Sequence, residues 1–79
     1  MPRRGEAFTV FTAQAINEAN PNLLGVKLGR ICVARQIPMK DVAQYLGVSY
    51  PTVYKWFTGK ADVNRKYFDQ IEKLVEKLA

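Results

Sequence analysis

The sequence predicts an all-α fold built as one domain, and three observations carry that expectation. Apolar residues recur at intervals of three and four along successive segments, the spacing that gathers side chains on one side of a helix. The breaks between those segments are short and built on Asn, Pro and Gly: Asn20-Pro21-Asn22, Ile37-Pro38, Gly47-Val48-Ser49 and Thr58-Gly59-Lys60. Four Phe, four Tyr and one Trp among 79 residues, 48% of them hydrophobic, supply the large side chains that so short a chain needs for a core.

Residues 1–7, with Pro2, Arg3, Arg4 and Gly5, are too short and polar a stretch to pack and are read as a flexible basic arm; residues 8–79 form the domain. From Phe8 to Ala19, the residues Phe8, Phe11, Ala15, Ile16 and Ala19 suggest a helix with one apolar face, capped by Thr9 or Thr12. The competing reading is a short strand over Phe8 to Thr12, because Phe-Thr-Val-Phe-Thr also suits a pleated surface. Pro21 forces Asn20 out of helical geometry. Asn22 then caps a second helix from Leu23 to about Gln36, with Leu24, Leu28, Ile31, Cys32 and Arg35 on one face. Gly25 and Gly29 weaken that helix by about 1 kcal/mol each relative to alanine. They either permit close approach of a neighbouring helix or are simply tolerated.

Val42, Ala43 and Leu46 define a third helix, and Val53, Trp56 and Phe57 a fourth. Gly47 can take the left-handed conformation that ends the one, and Ser49 can accept a hydrogen bond from the free amides that begin the other, with Val48 stapled onto Val53. After Gly59, Asn64 caps a last helix, with Val63 and Phe68 as its hydrophobic staple. Tyr67, Phe68, Ile71, Leu74, Val75 and Leu78 form its apolar stripe.

Twelve Lys and Arg against seven Asp and Glu give a net charge of +5 and a pI near 9.6, a balance that favours an anionic partner. Cys32 is single, so no disulfide framework or thiol metal cluster is expected, and a reducing cytoplasm is the natural compartment. Without histidine, with one buried thiol expected and carboxylates mainly on solvated faces, no catalytic constellation assembles: neither enzyme activity, a metal nor a cofactor is expected. No apolar run reaches the length of a membrane span.

The stretch from Met39 to Phe57 combines a small Ala43, Gly47 four residues later, Val53 six beyond that and an inward Trp56. It resembles the helix-turn-helix of the phage-repressor and Cro-like DNA-binding proteins, the lambda-repressor-like family, and the resemblance covers about Leu24 to Val75. It implies a compact bundle of about five helices, to which Phe8 to Ala19 adds an extra element. With Ser49 as cap, about 100° per residue turns Val53, Trp56 and Phe57 inward and Pro51, Lys55 and Thr58 outward, flanked by Thr52 and Tyr54, with Tyr50 at the leading end. Tyr50, Pro51, Thr52, Tyr54 and Lys55 are therefore the expected base-reading set in a major groove. Lysine can donate to guanine, threonine can donate or accept, and a proline ring can press on a thymine methyl. Arg3, Arg4, Lys40, Gln44, Ser49, Thr58 and Lys60 are the expected phosphate contacts.

Two departures from the family matter. Its usual capping serine and phosphate-touching glutamine are replaced by Pro38 and Met39, which leaves Lys40 to substitute. The positions that often hold an arginine–glutamate pair are Cys32 and Phe57. Both halves have become apolar together, which predicts a dry contact between them, since one lone buried charge would cost several kcal/mol. The expected function is sequence-specific binding of double-stranded DNA by a small phage-type repressor or regulator that occupies an operator, as a homodimer in a bacterial host cytoplasm or nucleoid. The rival expectations are a scaffold that binds a protein, such as a polymerase or another repressor, and an architectural or recombination accessory factor.

Overall fold

Thr9 decides how the first helix begins. In the computed structural model, which describes residues 8–78, its backbone is extended and its Oγ1 accepts the Thr12 amide at 3.2 Å. The threonine that would suit a strand instead caps α1, Val10–Glu18, and the strand alternative is wrong. The arm of residues 1–7, with Arg3 and Arg4, lies outside the described residues, as does Ala79. The remaining elements are α2 (Leu24–Arg35), α3 (Met39–Leu46), α4 (Tyr50–Phe57), a 3₁₀ turn (Arg65–Tyr67) and α5 (Phe68–Leu78). Among the described residues the fold is all-helical, with five α-helices and no strand.

The expected apolar face of α1 is corrected. Ile16 is fully buried, with Thr12 and Ala13 half-buried beside it, whereas Phe11 is 84% exposed. Phe11 lies five residues before Ile16, about 140° away around a helix, so the two cannot share a face. Phe8 reaches the core because it precedes the cap and is not bound to the helical phase.

α2 is the central element, packed against α1, α4 and α5. Its cap is not Asn22: the helix starts from Leu23 without a side-chain cap, and the Asn22 amide donates to Asn20 Oδ1 at 3.0 Å in a local turn. Its buried face is Gly25, Val26, Leu28, Gly29 and Cys32. A Cβ on Gly25 would stand 2.7 Å from the Trp56 carbonyl oxygen, and one on Gly29 2.9 Å from Phe57 Cγ. The two glycines are therefore the seat on which the C-terminal half of α4 rests, which settles the choice between close approach and mere tolerance. Two arginines tie the outer helices to this centre. Arg30 donates to the Asn17 carbonyl at 2.6 Å and Arg35 to the Leu78 carbonyl at 2.8 Å, each at the C-terminal end of a helix where a cation is favoured.

α2 ends in Gln36, in the left-handed conformation at φ 57°, and the Ile37 amide returns to the Cys32 carbonyl at 2.9 Å. Pro38 then opens α3 in extended geometry. Gly47, at φ 72°, ends α3 as expected, its amide donating to the Ala43 carbonyl. Val42, Ala43 and Leu46 are buried together with Met39. Asn64 does accept an amide, that of Lys66 at 3.2 Å, but the turn it caps is 3₁₀. Three residues wound at three per turn shift the phase by about 60° from an α-helical start. Val63 is buried, whereas Phe68, expected on the apolar stripe, is 39% exposed. Ile71 alone is fully buried on α5, with Leu74, Val75 and Leu78 half-buried around it.

Cys32 and Phe57 are both fully buried in one core cluster, and Gly29, one turn before Cys32 on the same face of α2, lies against the Phe57 ring. Burial pushes the Cys32 thiol up from 9.0 to about 11. The unfolded chain thus releases this proton first, so the thiol's contribution to stability is intact below pH 9 and is lost as pH rises towards 11. Relative to Cys32→Ala, wild-type stability falls by about 2 kcal/mol across that interval in urea unfolding at stepped pH. A flat difference would place the thiol in contact with water. Gly25→Ala lowers stability by about 1–3 kcal/mol despite alanine's better helix propensity, because the clash is with backbone. Gly47→Ala, with open space around it, costs about 1–2 kcal/mol from conformation alone.

Candidate nucleic-acid interface

α3 and α4 are joined by Gly47, Val48 and Ser49 and pack on each other, with Val48 half-buried against the core. α4 is held from beneath by Val53, Trp56 and Phe57, and Trp56 in turn meets the Tyr67 ring at 5.5 Å with the planes tilted by 52°. Such anchoring leaves the opposite side of α4 as a fixed surface. Pro51 and Lys55 are exposed and Tyr50 is half exposed at the leading end, while Thr52, Tyr54 and Thr58 are half-buried at the flanks. The helix has no carboxylate of its own.

Ser49 occupies the capping position in extended geometry, but its side chain does not cap. Its Oγ lies 2.8 Å from Thr52 Oγ1, so the two hydroxyls satisfy each other and the first-turn amides of α4 have no side-chain acceptor. Pro51, within that first turn, has no amide to satisfy and a backbone angle already suited to a helix. Thr58, expected at a phosphate, donates its hydroxyl to the Tyr54 carbonyl at 2.7 Å; that hydrogen is used within the helix. Lys60 reaches back over α4, its Nζ 5.4 Å from the centroid of the Tyr54 ring.

On α3, Lys40 and Gln44 are exposed one turn apart. Beside them the sequence reading missed Tyr45, which is 68% exposed and lines a shallow apolar groove of about 200 Å³ with Ile37, Asp41, Val42, Leu74 and Leu78. The signal was present: Asp41 and Tyr45 are four residues apart, outside the buried stripe of Val42, Ala43 and Leu46. The structure thus gathers Tyr50, Pro51, Thr52, Tyr54 and Lys55 on one helix with Lys60 over its end, and places Lys40 and Gln44 on the neighbouring helix. No helix among the described residues is long and apolar enough to cross a membrane.

No family model matches this sequence, and comparison with curated proteins and with solved structures gives no match. The reading of the surface therefore rests on its own chemistry.

The unmade Ser49 cap has a measurable consequence. Asn64→Ala and Thr9→Ala each remove an amide acceptor and cost about 1 kcal/mol in chemical denaturation, whereas Ser49→Ala, which loses only a hydroxyl pair, costs clearly less. A Ser49→Ala loss as large as the other two would show that Ser49 caps α4 in solution.

Proposed function

We propose that this chain is a sequence-specific double-stranded DNA-binding protein in which α3 and α4 act as a helix-turn-helix and α4 enters the major groove. The observation that carries this reading is the outer side of α4. Tyr50, Pro51 and Lys55 stand exposed, free of carboxylates, on a helix fixed from beneath by three buried side chains. Eight residues make a helix about 12 Å long, commensurate with the width of a major groove. Lys55 supplies a donor for guanine, Thr52 a hydroxyl whose orientation Ser49 restrains, and Pro51 an apolar ring for a thymine methyl. Lys40, Gln44 and Lys60 flank that face and supply salt-sensitive contacts to phosphate.

The role proposed for this chain is that of a phage-type regulator that acts by occupying an operator. A homodimer would double the few base pairs that one recognition helix reads. The rival reading, a module that docks on another protein, is favoured by one observation: Tyr45 and Tyr50 are both at least half exposed, and an apolar groove adjoins Tyr45.

Selection from a random duplex pool across a salt series decides between them. The expected result is a defined, two-fold symmetric site whose affinity falls steeply as salt rises. Lys55→Ala changes the preferred sequence and costs about 1–3 kcal/mol, whereas Lys60→Ala weakens binding to all sequences alike and lowers the salt slope by about 1. Selection without enrichment, and without salt-dependent binding, leaves the protein-docking reading in its place.

A further inference from the structure

Tyr54 and Lys60 form a contact that both of their backbones are arranged to hold. Tyr54 is half-buried, packed against the core, and its carbonyl accepts the Thr58 amide at 3.0 Å and the Thr58 hydroxyl at 2.7 Å. Gly59, at φ 75°, reverses the chain, and the Lys60 amide returns to the Lys55 carbonyl at 2.9 Å, with the Ala61 amide on the same oxygen at 3.3 Å. These bonds bring the Lys60 ammonium to 5.4 Å from the Tyr54 ring centroid, within the range of a cation–π contact. Lys55, one residue beyond Tyr54, has no such platform and stays exposed.

We propose that Tyr54 is not a base reader but a positioning residue, whose ring holds the Lys60 ammonium at the C-terminal edge of α4 as a preorganised phosphate ligand. The proposal rests on the DNA-binding reading of α4 given above. An ammonium has three donors, and one that rests on a ring keeps hydrogens for a phosphate. A free lysine loses rotamer freedom when it pairs, whereas one already laid across a ring has lost part of it beforehand. That difference corresponds to about a two- to ten-fold gain in affinity, independent of base sequence. The tyrosine hydroxyl has no part in it, so phenylalanine should serve as well.

Two measurements test the placement and the function separately. In NMR spectra of the free protein, the Lys60 side-chain protons are expected upfield through the ring current, retained in Tyr54→Phe and lost in Tyr54→Leu. Lys66, whose Nζ lies 5.1 Å from the Tyr67 ring centroid, gives an internal reference that stays shifted in every folded variant. On the duplex selected by the wild type, Tyr54→Phe is expected to bind within about two-fold with unchanged sequence preference. Tyr54→Leu is expected to lose about two- to ten-fold on all sequences. Lys60→Ala, at an exposed position, approaches the same contact without touching the core, and the double variant should bind no worse than Lys60→Ala alone. Altered sequence preference in Tyr54→Phe, or additive losses in the double variant, overturns the positioning role while DNA binding stands. Unshifted Lys60 protons in the wild type overturn the placement. A wild type with shifted Lys60 protons that binds no duplex defeats the DNA-binding reading itself, and the proposal with it.

Discussion

The close approach of α2 and α4 is the constraint on which the rest of the structure depends. Gly25 and Gly29 present bare backbone one turn apart, and Trp56 and Phe57 settle onto it at distances that no Cβ would allow. Everything on the outer side of α4 follows from that seat. With Val53, Trp56 and Phe57 turned onto α2, helical geometry alone turns Pro51 and Lys55 away from it. Cys32 and Phe57 are both fully buried in the same core cluster, and neither carries a charge that would need a partner there.

The pattern of the chain made the helices legible because each has a stripe or a stop signal with a single physical meaning. Gly47 is at positive φ where the reading needed it, and Val53, Trp56 and Phe57 are buried where their spacing put them. What escaped were choices between chemically equivalent local partners. Ser49 and Thr52 can each bond an amide or one another, and spacing cannot say which. Asn20 and Asn22 could both serve the turn around Pro21; the side chain of Asn20 does so. Phe11 is four residues from Ala15 and so joins a stripe by spacing, but Ile16, the residue that sets the buried side, lies about 140° from it. Phe68 departs because nothing in the sequence marks a first turn wound as 3₁₀. The two glycines were ambiguous until the residues opposite them were known.

The candidate surface was legible to a similar degree and for the same reason. Phase around a helix is readable, so the exposed residues of α4 were found. Contacts made by a residue beyond the helix are not readable from phase, and Lys60 over the Tyr54 ring belongs to that kind. Tyr45 escaped because attention to a buried stripe says nothing about an aromatic outside it.

The distribution of charge bears on the proposed function more than the net value does. A charge of +5 spread evenly would attract any polyanion weakly. Here the elements differ in sign. α5 carries three carboxylates against two lysines, and Arg30 and Arg35 of α2 have guanidinium hydrogens committed to the carbonyls of Asn17 and Leu78. Between Met39 and Lys60 the only carboxylate is Asp41, while Lys40, Lys55 and Lys60 are all exposed. Lys40 and Lys55 thus stand on the same two helices that present Tyr50, Pro51 and Thr52, with Lys60 just beyond α4, while Lys27, Arg65, Lys66, Lys73 and Lys77 are exposed elsewhere among the described residues. A polyanion bound on that side, as the DNA-binding proposal requires, would find on α4 the residues proposed to discriminate among bases.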